Sequence, residues 1–122
     1  MRKTIVLLAV AVGLIVIGTS SSWALYPLCG GRVYNSIGEP QANAYVQGCG
    51  QNLLLTDYSN TEGYYGLNDN EPPPTGYYDL CARKNDVGKA TTTIYHEWGH
   101  SNEWNPYLSG AAGQCPACEF NK

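Results

Sequence analysis

Short runs of alternating apolar and polar residues recur along the chain after residue 30. Each run is rich in β-branched and aromatic side chains and is too short for a helix. Turn-forming residues separate the runs, among them Gly30-Gly31 and Gly48-Cys49-Gly50. The runs are 32–34, 44–47, 53–56, 64–67, 77–82 and 90–95. This spacing predicts an all-β fold, a Greek-key β-sandwich of seven strands, with a range of six to eight.

The alternation within the runs also predicts which side chains face inward, because successive residues of a strand point to opposite faces. The predicted core consists of Val33, Ala44, Val46, Leu67, Leu80 and Ala82. The residues predicted to point outward are Tyr45, Gln47, Asp79 and Arg83.

The N-terminus has the three parts of a secretory signal peptide. Arg2 and Lys3 are followed by an apolar or small run, 5–18, and then by Ser22-Trp23-Ala24. The apolar run has about 14 residues, short of the ~20 that a membrane-spanning helix needs. We therefore expect a helical signal peptide at 1–24 that is cleaved, and a secreted, extracellular or periplasmic protein.

The remaining chain is long enough for one small domain. We assign 25–100 to the β-sandwich and 101–122 to a C-terminal tail that carries a Cys-x-x-Cys pair. The formal net charge is −3, and the two basic residues of the signal peptide are absent from the mature protein. This acidic balance argues against nucleic acid as a partner, and no membrane contact is expected after signal cleavage.

Five cysteines follow the signal peptide, a density typical of small exported domains that disulfides stabilise. At least one disulfide is expected, but the spacing leaves the connectivity open. The odd number implies a free thiol, an intermolecular bond or a metal ligand. The candidates are Cys29, Cys49, Cys81, Cys115 and Cys118.

Five short motifs in the predicted sandwich resemble the carboxypeptidase regulatory-like domain, one of the transthyretin-like or prealbumin-like sandwiches. They are Gly31-Arg32-Val33-Tyr34, Gly38-Glu39-Pro40, Ala44-Tyr45-Val46, Thr56-Asp57 followed by Gly63-Tyr64-Tyr65, and Gly76-Tyr77-Tyr78-Asp79-Leu80. The resemblance implies an accessory, adhesive or binding module that is usually non-catalytic, and some relatives of this fold bind carbohydrate. Residues 96–122 match nothing in the pattern.

The segment 96–100 reads HEWGH, which satisfies the HExxH pattern of zinc peptidases. In that alternative His96 and His100 bind zinc and Glu97 is the general base. The chemistry requires a helix, because four residues of strand separate the two histidines by ~13 Å. The β-prone run before the motif, together with Gly99 and Pro106, favours a strand instead.

A second zinc alternative joins the same two histidines to Cys115 and Cys118 in a Cys₂His₂ site. It competes with the interpretation that these cysteines form disulfides, which export to an oxidising compartment favours. We therefore expect no cofactor, with zinc as the alternative.

Aromatic side chains are too numerous for all of them to be buried in so small a domain. The candidates for a binding surface in the unmatched C-terminal segment are Trp98, Trp104 and Tyr107. Exposed rings suit sugar or protein surfaces. The sequence thus predicts a secreted or cell-envelope module that binds protein or carbohydrate surfaces and is not an enzyme, with the small zinc metallopeptidase as the alternative.

Overall fold

The computed structural model describes residues 25–119, which form seven strands and no helix. The predicted signal peptide, 1–24, lies outside the described residues, as do residues 120–122. The strands are β1 (Tyr26–Arg32), β2 (Tyr45–Gly50), β3 (Leu53–Tyr58), β4 (Tyr64–Asp69), β5 (Gly76–Lys84), β6 (Gly88–His96) and β7 (Asn102–Glu103).

The strands form two sheets. The four-stranded sheet has the order β3-β2-β5-β6, and all its neighbouring strands are antiparallel. The three-stranded sheet has the order β4-β1-β7, in which β1 is antiparallel to β4 and parallel to β7. The predicted all-β sandwich of seven strands is therefore confirmed.

The core lies between the two sheets and contains all six residues predicted to face inward, each at most 1% exposed. Tyr78, the residue between two outward-facing positions of β5, is buried beside them, and its hydroxyl donates to the Pro74 carbonyl at 2.7 Å. Burial raises the pKa of Tyr78 to about 12, so the hydroxyl keeps its proton.

Two glycine pairs that the sequence indicates as turns lie inside strands instead. Gly31 belongs to β1, where a side chain would overlap the carbonyl oxygen of Trp104. Gly48 belongs to β2, where a Cβ atom would lie 3.0 Å from the Leu80 side chain. These glycines permit close approach of other residues to the backbone, which is a role that sequence alone does not distinguish from turn formation.

The sandwich extends beyond residue 100, where the sequence places the start of the tail. β7 pairs with β1, and the Leu108 amide donates to the Tyr34 carbonyl at 2.7 Å. The Leu108 side chain is fully buried in the core. Ser109 and Lys89 exchange two backbone hydrogen bonds beside β6. Residues 102–109 are thus part of the folded domain.

Candidate binding groove

The last described residues cross the outer face of the four-stranded sheet. We call residues 112–119 the strap. Two disulfides fasten it: Cys81 of β5 to Cys115, and Cys49 of β2 to Cys118. Four of the five disulfide candidates are therefore paired, and the C-terminal segment is bonded covalently to the middle of the sheet.

Side chains of the sheet also hold the strap by hydrogen bonds to its backbone carbonyls. Arg83 Nε donates to the Gly113 carbonyl at 2.9 Å, and Lys89 Nζ donates to the Gln114 carbonyl at 3.2 Å. Gln47 Nε2 donates to the Pro116 carbonyl at 2.8 Å. Gln47 points to the outer face as predicted, yet it is only 7% exposed, because the strap lies against it.

A groove of about 640 Å³ lies between the strap and the outer face of β5 and β6. Tyr77 of β5 and Tyr95 of β6 are opposite each other in the sheet, and their rings meet edge to face with centroids 5.0 Å apart. Tyr77 is 66% exposed. The described residues that give the groove its chemical character are Gln47, Tyr77, Asp79, Thr91, Thr93 and Glu119.

The polar groups of the groove are open to hydrogen bonding. Asp79 Oδ1 accepts a hydrogen bond of 2.8 Å from the Thr93 hydroxyl on the neighbouring strand. Asp79 is exposed, so its second oxygen is free to accept from a ligand. No lysine or arginine is among the described residues that line this groove, and its electrostatic character is therefore acidic.

The HEWGH segment does not form the helix that a zinc peptidase needs. β6 ends at His96, and residues 97–100 turn, with a positive φ of 84° at Gly99 and a hydrogen bond of 3.0 Å from the His100 amide to the Glu97 carbonyl. His96 is fully buried, and its Nδ1 bonds to Asn102 Oδ1 at 2.9 Å. The expected strand thus covers the first residue of the motif only.

The second zinc alternative, the Cys₂His₂ site, lacks free cysteine ligands in this structure. The sulfur atoms of Cys115 and Cys118 are bonded to Cys81 and Cys49, so they are not available as thiolate ligands. Within residues 25–119, no group of three or more His, Cys, Asp or Glu side chains is placed to hold a metal ion.

The odd cysteine is Cys29 of β1, which is a free thiol at 1% exposure. Its sulfur lies 3.6 Å from the Tyr65 hydroxyl, which donates to the Trp104 carbonyl at 2.6 Å. Desolvation by burial raises the pKa of the Cys29 thiol. Cys29 is therefore a core residue and not an activated nucleophile.

The three predicted surface aromatics lie in different surroundings. Trp98 is 64% exposed in the turn after β6, where its amide donates to the Thr75 hydroxyl at 2.9 Å. Trp104 packs against the core. Tyr107 is 55% exposed and stacks on Tyr34 with centroids 4.9 Å apart. None of the three lines the groove beneath the strap.

The aromatic residue that lines the groove is instead Tyr77, whose ring packs against Tyr95. Neither tyrosine is among the predicted surface-binding candidates. The strand alternation contains the signal that finds them. Residues 77, 79, 93 and 95 point to the same outer face in two paired strands. Only the path of the strap shows which part of that face becomes concave.

No protein-family model matches the chain, and no curated protein matches it. Among solved structures, the chain is similar to the 5-hydroxyisourate hydrolase of Klebsiella pneumoniae, with a TM-score of 0.50 and 19% sequence identity. The similarity covers 72% of this chain and 92% of that chain. The fold is transthyretin-like. The predicted prealbumin-like sandwich is therefore confirmed.

The same similarity corrects the prediction that the protein is not an enzyme. That prediction depended on the non-catalytic character of most carboxypeptidase regulatory-like domains, but a solved structure similar to this chain is that of a hydrolase. The transthyretin-like fold is shared by binding modules and hydrolases, so it does not exclude catalysis. At 19% identity the likeness shows the fold alone.

The transthyretin-like domain is compatible with an extracellular location. Two disulfides fit an oxidising compartment. In the described part of the chain, no helix has the length and apolar character needed to cross a membrane.

Proposed function

We propose that this protein is an exported carbohydrate-binding domain that holds a neutral sugar chain in the groove between the strap and β6. One observation carries the proposal: the Tyr77 ring, which packs against Tyr95, lies in the same groove as the free carboxylate oxygen of Asp79. The proposal concerns binding, which a binding module and a hydrolase both require.

The groove combines the two kinds of contact that a sugar ring needs. An exposed tyrosine ring offers a flat apolar surface to the C–H face of a sugar. Asp79 and Thr93 offer a carboxylate and a hydroxyl to its hydroxyl groups. The volume of about 640 Å³ is within the range of small-ligand sites.

The charge of the groove supports a neutral ligand. Asp79 and Glu119 are acidic, and no basic side chain of the described residues lines the groove. A uronic acid or sulfated sugar in this groove would face like charges, which disfavour binding. A neutral sugar has no such penalty.

Rigidity of the strap supports binding at this place. The strap wall is fixed by the two disulfides and by the Gln47 hydrogen bond to Pro116. A wall that is ordered before the ligand arrives lowers the entropic cost of binding. The finer elements of the proposal, a cleaved signal peptide and membership in the carboxypeptidase regulatory-like group, are in keeping with this role.

Titration calorimetry with neutral oligosaccharides tests the proposal, using hexamers of β-1,4-linked glucose, xylose, mannose and N-acetylglucosamine as probes. At least one probe should bind the disulfide-bonded protein. Tyr77→Ala should weaken that binding by about tenfold through lost ring contact, and Asp79→Asn by a similar factor through a lost charged acceptor.

Tyr107→Ala is the matched control, because Tyr107 is a similarly exposed tyrosine outside the groove. Its affinity should equal that of the unmodified protein. If no neutral probe binds, or if Tyr107→Ala weakens binding as much as Tyr77→Ala, the proposed function is refuted.

A further inference from the structure

The strap has two halves that the sheet holds in different ways. Its N-terminal half, residues 112–115, is joined to β5 by the Cys115 disulfide. Arg83 and Lys89 add three hydrogen bonds to backbone carbonyls of this half, at 2.9, 3.1 and 3.2 Å. These hydrogen bonds do not depend on the disulfide, so residues 112–115 have two kinds of attachment to the sheet.

The C-terminal half of the strap, residues 116–119, has fewer attachments. Gln47 Nε2 donates to the Pro116 carbonyl at 2.8 Å, and no other hydrogen bond joins residues 116–119 to the described part of the sheet. The disulfide between Cys118 and Cys49 is therefore the main attachment of this half. If that bond is opened, residues 116–119 are fixed at their N-terminal end only.

The two disulfides also differ in accessibility. Cys81 is 2% exposed, whereas Cys49 and Cys118 are both half-buried. Thiol–disulfide exchange requires a thiolate to reach one sulfur, and the other sulfur leaves as a thiolate. In the Cys81–Cys115 disulfide, one of these two events takes place at a buried position, where negative charge is disfavoured. The partners of the Cys49–Cys118 disulfide are both closer to solvent, so this disulfide is the easier of the two to reduce.

The more accessible disulfide holds one wall of the binding groove. Residues 116–119 line the groove on the side of the strap. The floor of the groove, which includes Tyr77 and Asp79, belongs to β5 and is bonded to its neighbouring strands without this disulfide. Cys29, the free thiol, lies in the core and is therefore not placed to pair with a cysteine released on the outer face. Opening the disulfide thus removes the wall and leaves the floor.

We propose that the Cys49–Cys118 disulfide is a redox latch: its reduction by a dithiol releases residues 116–119 and opens the binding groove. One thiolate of the dithiol attacks the Cys118 sulfur, a mixed disulfide forms, and Cys49 leaves as a thiolate. The second thiol then displaces Cys118, and the dithiol becomes a disulfide. Each displaced cysteine takes up the proton that the attacking thiol lost. The selective reduction stands by itself, whereas its effect on sugar affinity rests on the proposed function.

The first experiment treats the full disulfide-bonded protein with increasing concentrations of dithiothreitol, labels free thiols with iodoacetamide and locates the labels by mass spectrometry. Cys49 and Cys118 should be labelled at a dithiothreitol concentration that leaves Cys81 and Cys115 bonded. Circular dichroism should show an unchanged β-sandwich at that step. Equal labelling of the two pairs, earlier labelling of Cys81 and Cys115, or loss of the sandwich at the first step would each overturn the latch.

Two-dimensional NMR of the same partly reduced protein tests whether the wall is released. The backbone amide signals of residues 117–119 should move to positions typical of an unstructured chain. The signals of Val46 and Leu80, which lie in the core, should stay in place. Signals of residues 117–119 that keep the positions of the oxidised protein would contradict the proposal.

Sugar binding is measured on two matched double variants. Cys49→Ser with Cys118→Ser removes the latch and should weaken the binding of a neutral hexamer by about tenfold, because the wall must then be ordered on binding. Cys81→Ser with Cys115→Ser keeps the latch and should change the affinity by less than about twofold. Equal weakening by the two variants would refute the latch. If no hexamer binds the oxidised protein, the proposed function fails, and thiol labelling and NMR still decide the latch.

Discussion

The two faces of the four-stranded sheet are built from the same strands but are stabilised differently. The inner face consists of small and aliphatic side chains such as Val46, Leu80 and Ala82, which are at most 1% exposed. The outer face is rich in tyrosine, threonine and charged side chains, and a covalently bonded strap covers its middle. Apolar burial stabilises the first face, and cross-links and hydrogen bonds stabilise the second.

This difference shows where binding can evolve without loss of the fold. Residues of the inner face contact the opposite sheet, so their size is constrained by packing. Residues of the outer face, apart from those that hold the strap, contact mainly neighbouring strands and solvent. The binding groove lies on this face, where a substitution such as Tyr77→Ala changes the surface and not the core.

The largest change in the free energy of unfolding is expected when a disulfide of the outer face is removed. The disulfide between Cys49 and Cys118 joins residues 69 positions apart. Replacing both cysteines with serine should lower the free energy of unfolding by about 4 kcal/mol, because the unfolded chain gains conformational entropy when the cross-link is absent. Urea denaturation followed by circular dichroism measures the change.

The disulfide between Cys81 and Cys115 closes a shorter loop of 34 positions and is the comparison for that variant. Its removal should cost a similar amount, since it lies inside the first loop and the entropy of loop closure depends only weakly on length. A loss below about 1 kcal/mol for both double variants would show that the strap does not contribute to stability.

The next largest effect is expected on the inner face. Leu80→Ala should lower the free energy of unfolding by about 3 kcal/mol, because it leaves a cavity among Leu28, Leu67 and Gly48. The neighbouring outward substitution Asp79→Ala should change it by less than about 0.5 kcal/mol. Equal losses at positions 79 and 80 in urea denaturation would contradict the assignment of the two faces.

The smallest change in the free energy of unfolding is expected at Gln47, which lines the binding groove and donates a hydrogen bond to the strap. Gln47→Leu should lower the free energy of unfolding by about 1 kcal/mol, since the Pro116 carbonyl and the Tyr45 hydroxyl lose their partner. Thr56→Leu, on the adjacent strand of the same face, is the matched control and should be near neutral. If both variants unfold at the same urea concentration, Gln47 does not anchor the strap.

The sequence predicted the core of this protein better than its candidate binding groove. Alternation found the six inward residues, because a strand side chain points to one face or the other regardless of the rest of the chain. It also placed Gln47 and Asp79 on the outer face. It did not show that Gly31 and Gly48 belong to strands. Glycine is needed at these positions because Trp104 and Leu80, which are distant in sequence, lie close to the backbone there.

Short motifs such as HEWGH were the least informative part of the sequence. HEWGH has the residues of a zinc site, but the backbone of β6 places His96 in the core and turns the rest of the motif away from helical geometry. Trp104, predicted to be a surface residue, packs against the core because residues 102–109 continue the sandwich. A motif specifies side-chain identity, and the backbone decides whether the side chains converge.

By itself, the sequence determined that this chain forms a β-sandwich and identified six of the residues that fill it, since period-two alternation is a local property. It also supplied the cysteines that predict disulfides. Only the tertiary structure decided that Cys49 meets Cys118 and Cys81 meets Cys115. Those pairings depend on contacts between residues far apart in the chain, and they determine where the strap lies and so where the binding groove forms.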